Sequence, residues 1–422
     1  MTSVVRSSAA AVVAVAVLLA GVAGASGAEV AHTSTGFGWP AAASPAGAVD
    51  WIQGDLTAIA RFARPGGVFG RGQQLGRRDS VGGTSVPSVV SGRNGEALAF
   101  WAQDGMQARQ FVTAFRPAGG AFGPLVRLTS GTQPNADSVD AGFTGAGDVV
   151  LAWPTERGGM RVRTRFADGH WSSIEQIPTT PNPLAPRLAV AASGAVTMTW
   201  AQDSRDGPGD EIMVATRPPG GRFDAPRRVA QTLFSEAGPM IAQNDGGDTV
   251  LAWTEDDRLV TGRNPSVHAM FRSGFGGAFG SVTGVSHTPS PAVLSAVSVA
   301  PDGGIIFAWR QGRHGVAART RTPAGQLLPA YLLTQRLHRI TAASAVATGP
   351  GVVAWFSPAA TGHAISRLQT ATATATGSFG KPHTWWSGHI GNLSYVPYLL
   401  AVDGGVLIVT PTGQILRSGP SK

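Results

Sequence analysis

Short apolar runs, most of them ending in tryptophan, recur along this chain between turns rich in glycine, aspartate and asparagine. The clearest copies are Gly95-Glu96-Ala97-Leu98-Ala99-Phe100-Trp101 and Gly147-Asp148-Val149-Val150-Leu151-Ala152-Trp153. Others end at Trp51, Trp200, Trp253, Trp309 and Trp355, so that successive tryptophans stand 50, 52, 47, 53, 56 and 46 residues apart. A last copy, Gly405–Val409, carries valine at the tryptophan position, 54 residues further on. A fixed period of this length marks a repeat of one supersecondary unit.

Each unit reads as four short strands. In the third, a strand over 138–144 meets a glycine turn, the apolar strand 149–153 follows, 160–166 alternates apolar and polar side chains, and 171–177 closes the unit. Short alternating runs joined by glycine-, asparagine- and aspartate-containing turns predict an antiparallel meander. Between the first and second strands stand Arg93-Asn94-Gly95, Asn244-Asp245-Gly246 and Pro301-Asp302-Gly303, which suit turns needing positive φ. Between the third and fourth stand Arg64-Pro65-Gly66-Gly67-Val68-Phe69, Arg116-Pro117-Ala118-Gly119-Gly120-Ala121-Phe122 and Arg217-Pro218-Pro219-Gly220-Gly221-Arg222-Phe223. The predicted outer strands begin near Phe69, Phe122, Trp171, Phe223, Phe279, Leu327 and Phe379.

Four-stranded units repeated at this period resemble the blades of β-propellers, as in secreted bacterial propeller proteins. The resemblance implies an all-β fold whose blades pack face to face around an axis. It carries no activity, because neither a Trp-Asp signature nor a Ser-x-Asp-x-Gly-x-Thr-Trp box is present. Seven blades are favoured: the first unit lacks room for its own first strand, and 395–402 could supply it and close the ring. Eight is the alternative, with Gly36-Phe37-Gly38 as the last outer strand.

Composition narrows the chemistry. Glycine (57) and proline (29) make up about a fifth of the 422 residues, and charged residues only 14%, which excludes coiled coils and charge-laced helical arrays. The absence of cysteine excludes disulfides, thiolate metal sites and thiol nucleophiles. Net charge is +8, almost all from arginine, since Lys381 and Lys422 are the only lysines. The arginines are scattered rather than gathered in a patch, so nucleic acid is not the expected partner. Arg6, the apolar stretch from Ala9 to Ala23 and the small residues after it predict a signal peptide over 1–28, with a single domain over 29–422. A secreted, extracellular, monomeric protein without a membrane span is expected.

Three groups of residues are candidates for function. A polar residue follows each tryptophan of the apolar strands, often with an acid beside it: Gln103 and Asp104, Gln202 and Asp203, and Gln311 with His314. The meander places these residues with the longer, more varied loops, where ligands are expected; the competing reading is that they satisfy strand ends. Lys381-Pro382-His383-Thr384-Trp385-Trp386-Ser387-Gly388-His389, expected in the seventh connection between units, offers His383, Trp385, Trp386 and His389 as a stacking surface for sugar. Its competing reading is a plug where the termini meet. Asp203, Asp206 and Asp210 could gather a calcium ion, although their spacing is not that of an EF-hand loop.

Motifs for a nucleophile elbow, zinc hydrolase, phosphate loop or dinucleotide fold are missing. The leading expectation is therefore a non-enzymatic propeller binding cell-wall polysaccharide or another extracellular ligand, with no cofactor. A glycoside hydrolase or polysaccharide lyase using Asp104 and Asp203 is the alternative, and a scaffold for an extracellular protein a third.

Overall fold

The structure is a computed structural model and describes residues 41–44, 49–53, 57–64, 69–77, 87–104, 109–129, 139–155, 159–179, 183, 186–204, 206–207, 209–232, 238–256, 263–286, 290–312, 315–334, 343–347, 351–357, 365–388, 398–402, 405–409 and 415–418. Residues 1–28, expected as a signal peptide, lie outside this set. Among the described residues no helix is long and apolar enough to cross a membrane.

All regular structure among the described residues is antiparallel β, arranged in eight sheets: seven have four strands and one, Tyr398–Val402 with Gly405–Val409 and Ile415–Ser418, has three. In every sheet the strands follow chain order, as a meander requires. In the third, Asp140–Phe143 pairs with Val149–Pro154, that strand with Met160–Arg165, and that with Glu175–Ile177. Val149–Pro154 is buried throughout, whereas Met160–Arg165 alternates buried and half-exposed residues. The second strands are thus covered on both faces, which is why they read as unbroken apolar runs.

The sheets close into a ring. Each first strand lies against the first strand of the next sheet, and Tyr398–Val402 of the eighth lies against Ala41–Ala43 of the first. Ala43 and Ala63 of the first sheet share one buried cluster with Leu400, Val402, Leu407 and Val409 of the eighth. Trp101, Trp153, Trp200, Trp253, Trp309 and Trp355 are all buried between sheets. Closure leaves no sheet with a naked face, so burial of these indoles needs no capping element.

Two expectations about the termini are corrected. The first unit has its own first strand, since three residues, Ala41–Ala43, suffice to pair with Val49, Asp50 and Trp51. Tyr398–Val402 pairs with Gly405–Val409 instead of joining the first sheet, so the described residues form eight sheets where seven blades were favoured and eight was the alternative. Gly36-Phe37-Gly38 lies outside the described residues. The outer strands also start later than expected. Trp171, Leu327 and Phe379 make only isolated bridges, to Arg165, Arg321 and Ala373, and the ladders begin after them, as at Glu175–Ile177 and His383–Gly388.

Candidate functional site

The two ends of the ring differ. One carries the tight turns between first and second and between third and fourth strands. Gly95, Gly147, Gly194, Gly247 and Gly303 sit there at φ between 86° and 89°, a region closed to most side chains. In the fifth turn the left-handed residue is Gly247, not Gly246; a Cβ on Gly247 would stand 2.5 Å from Phe275 N. This end is bridged between sheets close to the axis. The Arg93 guanidinium of the second sheet donates to Asp245 Oδ2 of the fifth at 3.1 Å, and Ala192 N of the fourth donates to Asp245 Oδ1 at 2.8 Å. The opposite end carries the connections of more varied length and is the candidate ligand face.

On that face the second strands end in a recurring pair. Side chains two apart on a strand share a face, so the residue two after the tryptophan can reach its indole. Trp200 Nε1 donates to Gln202 Oε1 at 3.0 Å, and Trp309 Nε1 to Gln311 Oε1 at 2.7 Å. Gln202 Nε2 passes the chain on to Glu211 Oε2 at 3.0 Å, and Gln311 Nε2 donates to the Ser290 carbonyl at 2.9 Å. Arg228, from the outer strand, donates to Glu211 Oε1 and to Asp206 Oδ2, both at 2.9 Å. Those bonds, Asp206 first, raise the Arg228 pKa above its ordinary value. Where the third residue is Thr155, Glu255 or Ser357, the indole nitrogens of Trp153, Trp253 and Trp355 are buried without a partner. Trp253 instead stacks on His268, with ring centroids 6.1 Å apart; His268 Nε2 lies 2.8 Å from Ser266 Oγ and 3.5 Å from Glu255 Oε2.

The predicted residues are distributed as follows. Gln202 is buried, Gln311 half-buried and Asp203 exposed at the strand end. Gln103 and Asp104 close the strand Ala97–Asp104, but their side chains lie outside the described set, as do His314 and His389 entirely. His383, Trp385 and Trp386 are not in a connection between sheets: they belong to His383–Gly388, the outermost strand of the seventh sheet. The register there shifts between Leu368 and Gln369, which leaves Trp385 as the extra residue of a bulge. Both indoles consequently pack on the cluster shared by the seventh and eighth sheets, Trp386 against Phe356 and Trp385 with its Nε1 donating to Thr370 Oγ1 at 2.8 Å. His383 is exposed and meets the Trp385 ring edge-on at 4.7 Å. These three are at the outer rim and do not converge with Gln202 and Asp203 of the fourth sheet.

Of the acids considered for calcium, Asp206 accepts from a cation of the chain itself, Arg228, which also holds Glu211. Among the described residues no group of three or more histidine or acidic side chains converges. A second charged feature, not anticipated from the sequence, is formed by Asp140 and Arg187, which begin the innermost strands of the third and fourth sheets and are both buried. Asp140 Oδ2 accepts from Leu188 N at 2.7 Å, tying the two sheets together. Burial pushes the Arg187 guanidinium down to about 10, against the opposing pull of Asp140. Single charges at strand starts resemble loop residues in a sequence, and only the ring brings them side by side.

No family model matches the chain, and no curated protein matches it. Among solved structures it is similar to the BP39L lectin from Burkholderia pseudomallei, with a TM-score of 0.56 and 12% identity over 83% of this chain and 99% of that one. It is also similar to puromycin hydrolase (TM-score 0.51, 14% identity), covering 91% of this chain and 58% of that one. A prolyl endopeptidase gives a TM-score of 0.51 at 14% identity, over 90% and 54%. The chain is a β-propeller. At such identities the likeness is one of fold, and the propeller spans little more than half of either hydrolase.

Proposed function

We propose that this propeller binds carbohydrate, a cell-envelope polysaccharide by preference, on the face that carries its more varied connections. The observation that carries this reading is the asymmetry of the two ends: tight turns bridged by Arg93 and Asp245 at one, polar side chains held in hydrogen-bonded chains at the other. Arg228, fixed from beneath by the buried pair Gln202–Glu211 and at the surface by Asp206, presents a positioned donor beside the exposed carboxylates of Asp203 and Asp206, the kind of array that orients sugar hydroxyls. The lectin that shares the fold is consistent with such a role. Binding without turnover fits the missing catalytic motifs, and residues 1–28 would direct the protein out of the cell.

The test is a glycan array with a wall-polymer pull-down, run beside a reducing-end release assay. Binding by the native protein, at least fivefold weakened in Asp203→Ala and without release of new reducing ends, is the expected result. A blank array and pull-down beside a working control lectin would overturn the reading, and steady release of reducing ends would replace it with the hydrolase.

A further inference from the structure

On the opposite, tight-turn face, one position of the repeat is filled in five successive sheets and vacant in the next. The third strands of sheets two to six end in Arg116, Arg165, Arg217, Arg272 and Arg321, set opposite Ala97, Val149, Val196, Thr249 and Ile305. Each guanidinium reaches the sheet before it. Arg116 lies over the Phe62 ring at 4.1 Å, Arg165 over Phe115 at 3.5 Å and Arg321 over Phe271 at 4.3 Å. Arg217 donates to Thr164 Oγ1 at 3.0 Å, and Arg272 to Thr197 Oγ1 at 2.8 Å. Every one of these arginines therefore fills the cleft between its own sheet and the preceding one. Arg64, which the sequence suggested as the first of the series, is one residue out of register: Ala63 holds the position, opposite Val49.

In the seventh sheet the same position is Ala373. It bridges Phe379 as Arg321 bridges Leu327 and Arg165 bridges Trp171, and its N donates to the Gly351 carbonyl at 2.7 Å. The residue that an arginine there would reach is Thr320, which stands opposite Ile306 as Thr164 stands opposite Val150. Thr164 Oγ1 receives a guanidinium; Thr320 Oγ1 is shielded from solvent and has no partner. Between the two sheets a cavity of about 490 Å³ opens, lined among others by Asp302, Thr320, Leu328, Gly351 and Ala373. Its volume lies within the roughly 300–1,000 Å³ of small-molecule pockets.

We propose that this cleft between the sixth and seventh sheets is a binding site for a guanidinium group from outside the chain, either an arginine side chain of a peptide or a free alkylguanidine. Its Thr320 wall repeats that of Thr164, which holds the Arg217 guanidinium between the third and fourth sheets, with the alkyl stem lying along Leu328 and Ala373, the planar head meeting Thr320, and Asp302 supplying a carboxylate. Arg321 also borders the cleft, but its guanidinium is engaged on Phe271 of the fifth sheet. A compact ammonium lacks the planar fork that this geometry accommodates. The site is on the end of the ring opposite to the proposed carbohydrate face and does not depend on that reading.

Titration calorimetry on the full chain tests it with three probes: N-acetyl-arginine-N-methylamide for the peptide source, butylguanidine for the free one, and butylammonium as control. At least one guanidine should bind in the micromolar to millimolar range, the stronger naming the source, with butylammonium at least tenfold weaker. Ala373→Arg, which supplies the missing side chain in cis, should abolish that binding and raise the thermal midpoint; Thr320→Val should weaken binding about fivefold while keeping the fold. Failure of both guanidines to bind, binding that persists undiminished in Ala373→Arg or in Thr320→Val, or equal affinity for butylammonium would each overturn the proposal.

Discussion

The third and fourth sheets present the same buried tryptophan in different electrical surroundings. Trp200 gives its indole hydrogen to Gln202, which leans on Glu211, which in turn is held by Arg228. Trp153, as deeply buried and on the corresponding strand, has Thr155 two residues on and a nitrogen with no partner. Packing is common to the two, so the ring needs the indole for its volume. The hydrogen bond is a local addition, present where glutamine follows at the right spacing. A buried donor left unmade costs about 1–3 kcal/mol, which the wedge at Trp153 must offset through dispersion and apolar burial.

That contrast can be broken at several points. The largest effect is expected from Gln202→Leu, which strands Trp200 Nε1 and removes the donor to Glu211 Oε2; stability should fall by about 2–3 kcal/mol. Chemical denaturation would measure it, and a loss below about 0.5 kcal/mol would mean that the bonded chain adds nothing to packing. Next comes the pair Trp200→Phe and Trp153→Phe. Both lose volume, but only the first leaves an acceptor, Gln202 Oε1, without its donor, so it should cost about 1 kcal/mol more than the second. Equal losses would show that the two indoles are alike after all. The smallest change is Thr155→Gln, which places an acceptor two residues after Trp153 and should raise stability by about 0.5–1 kcal/mol. A decrease there would show that the third sheet has no room for the longer side chain.

Much of the architecture was legible because the repeat is written in apolar runs and glycine turns. The second strands are covered on both sides and therefore uniform, as in Val149–Pro154, and the turns need a left-handed residue at a fixed place. The ends of the chain were less legible, since a strand as short as Ala41–Ala43 leaves almost no periodic trace. Trp385 and Trp386 looked like loop residues because a bulge turns both to one side and so destroys the alternation that marks a strand. The partner chains of the candidate face were out of reach for a different reason. Gln202 and Glu211 are nine residues apart, but Arg228 arrives from the far strand, and Asp140 meets Leu188 only through the packing of two sheets. The vacancy at Ala373 likewise becomes visible only when register places that residue in the row that runs from Arg116 to Arg321.

Closure of the ring through the eighth sheet is tested most directly by paired cysteines in a chain that contains none of its own. One cysteine placed in Ala41–Ala43 and one in Tyr398–Val402 should form an intramolecular disulfide on mild oxidation of the monomer, as readily as a control pair placed in Ala292–Val299 and Ala343–Ala347. A control pair that oxidises beside a terminal pair that stays reduced across all positions would mean an open array of sheets and would contradict the closed propeller.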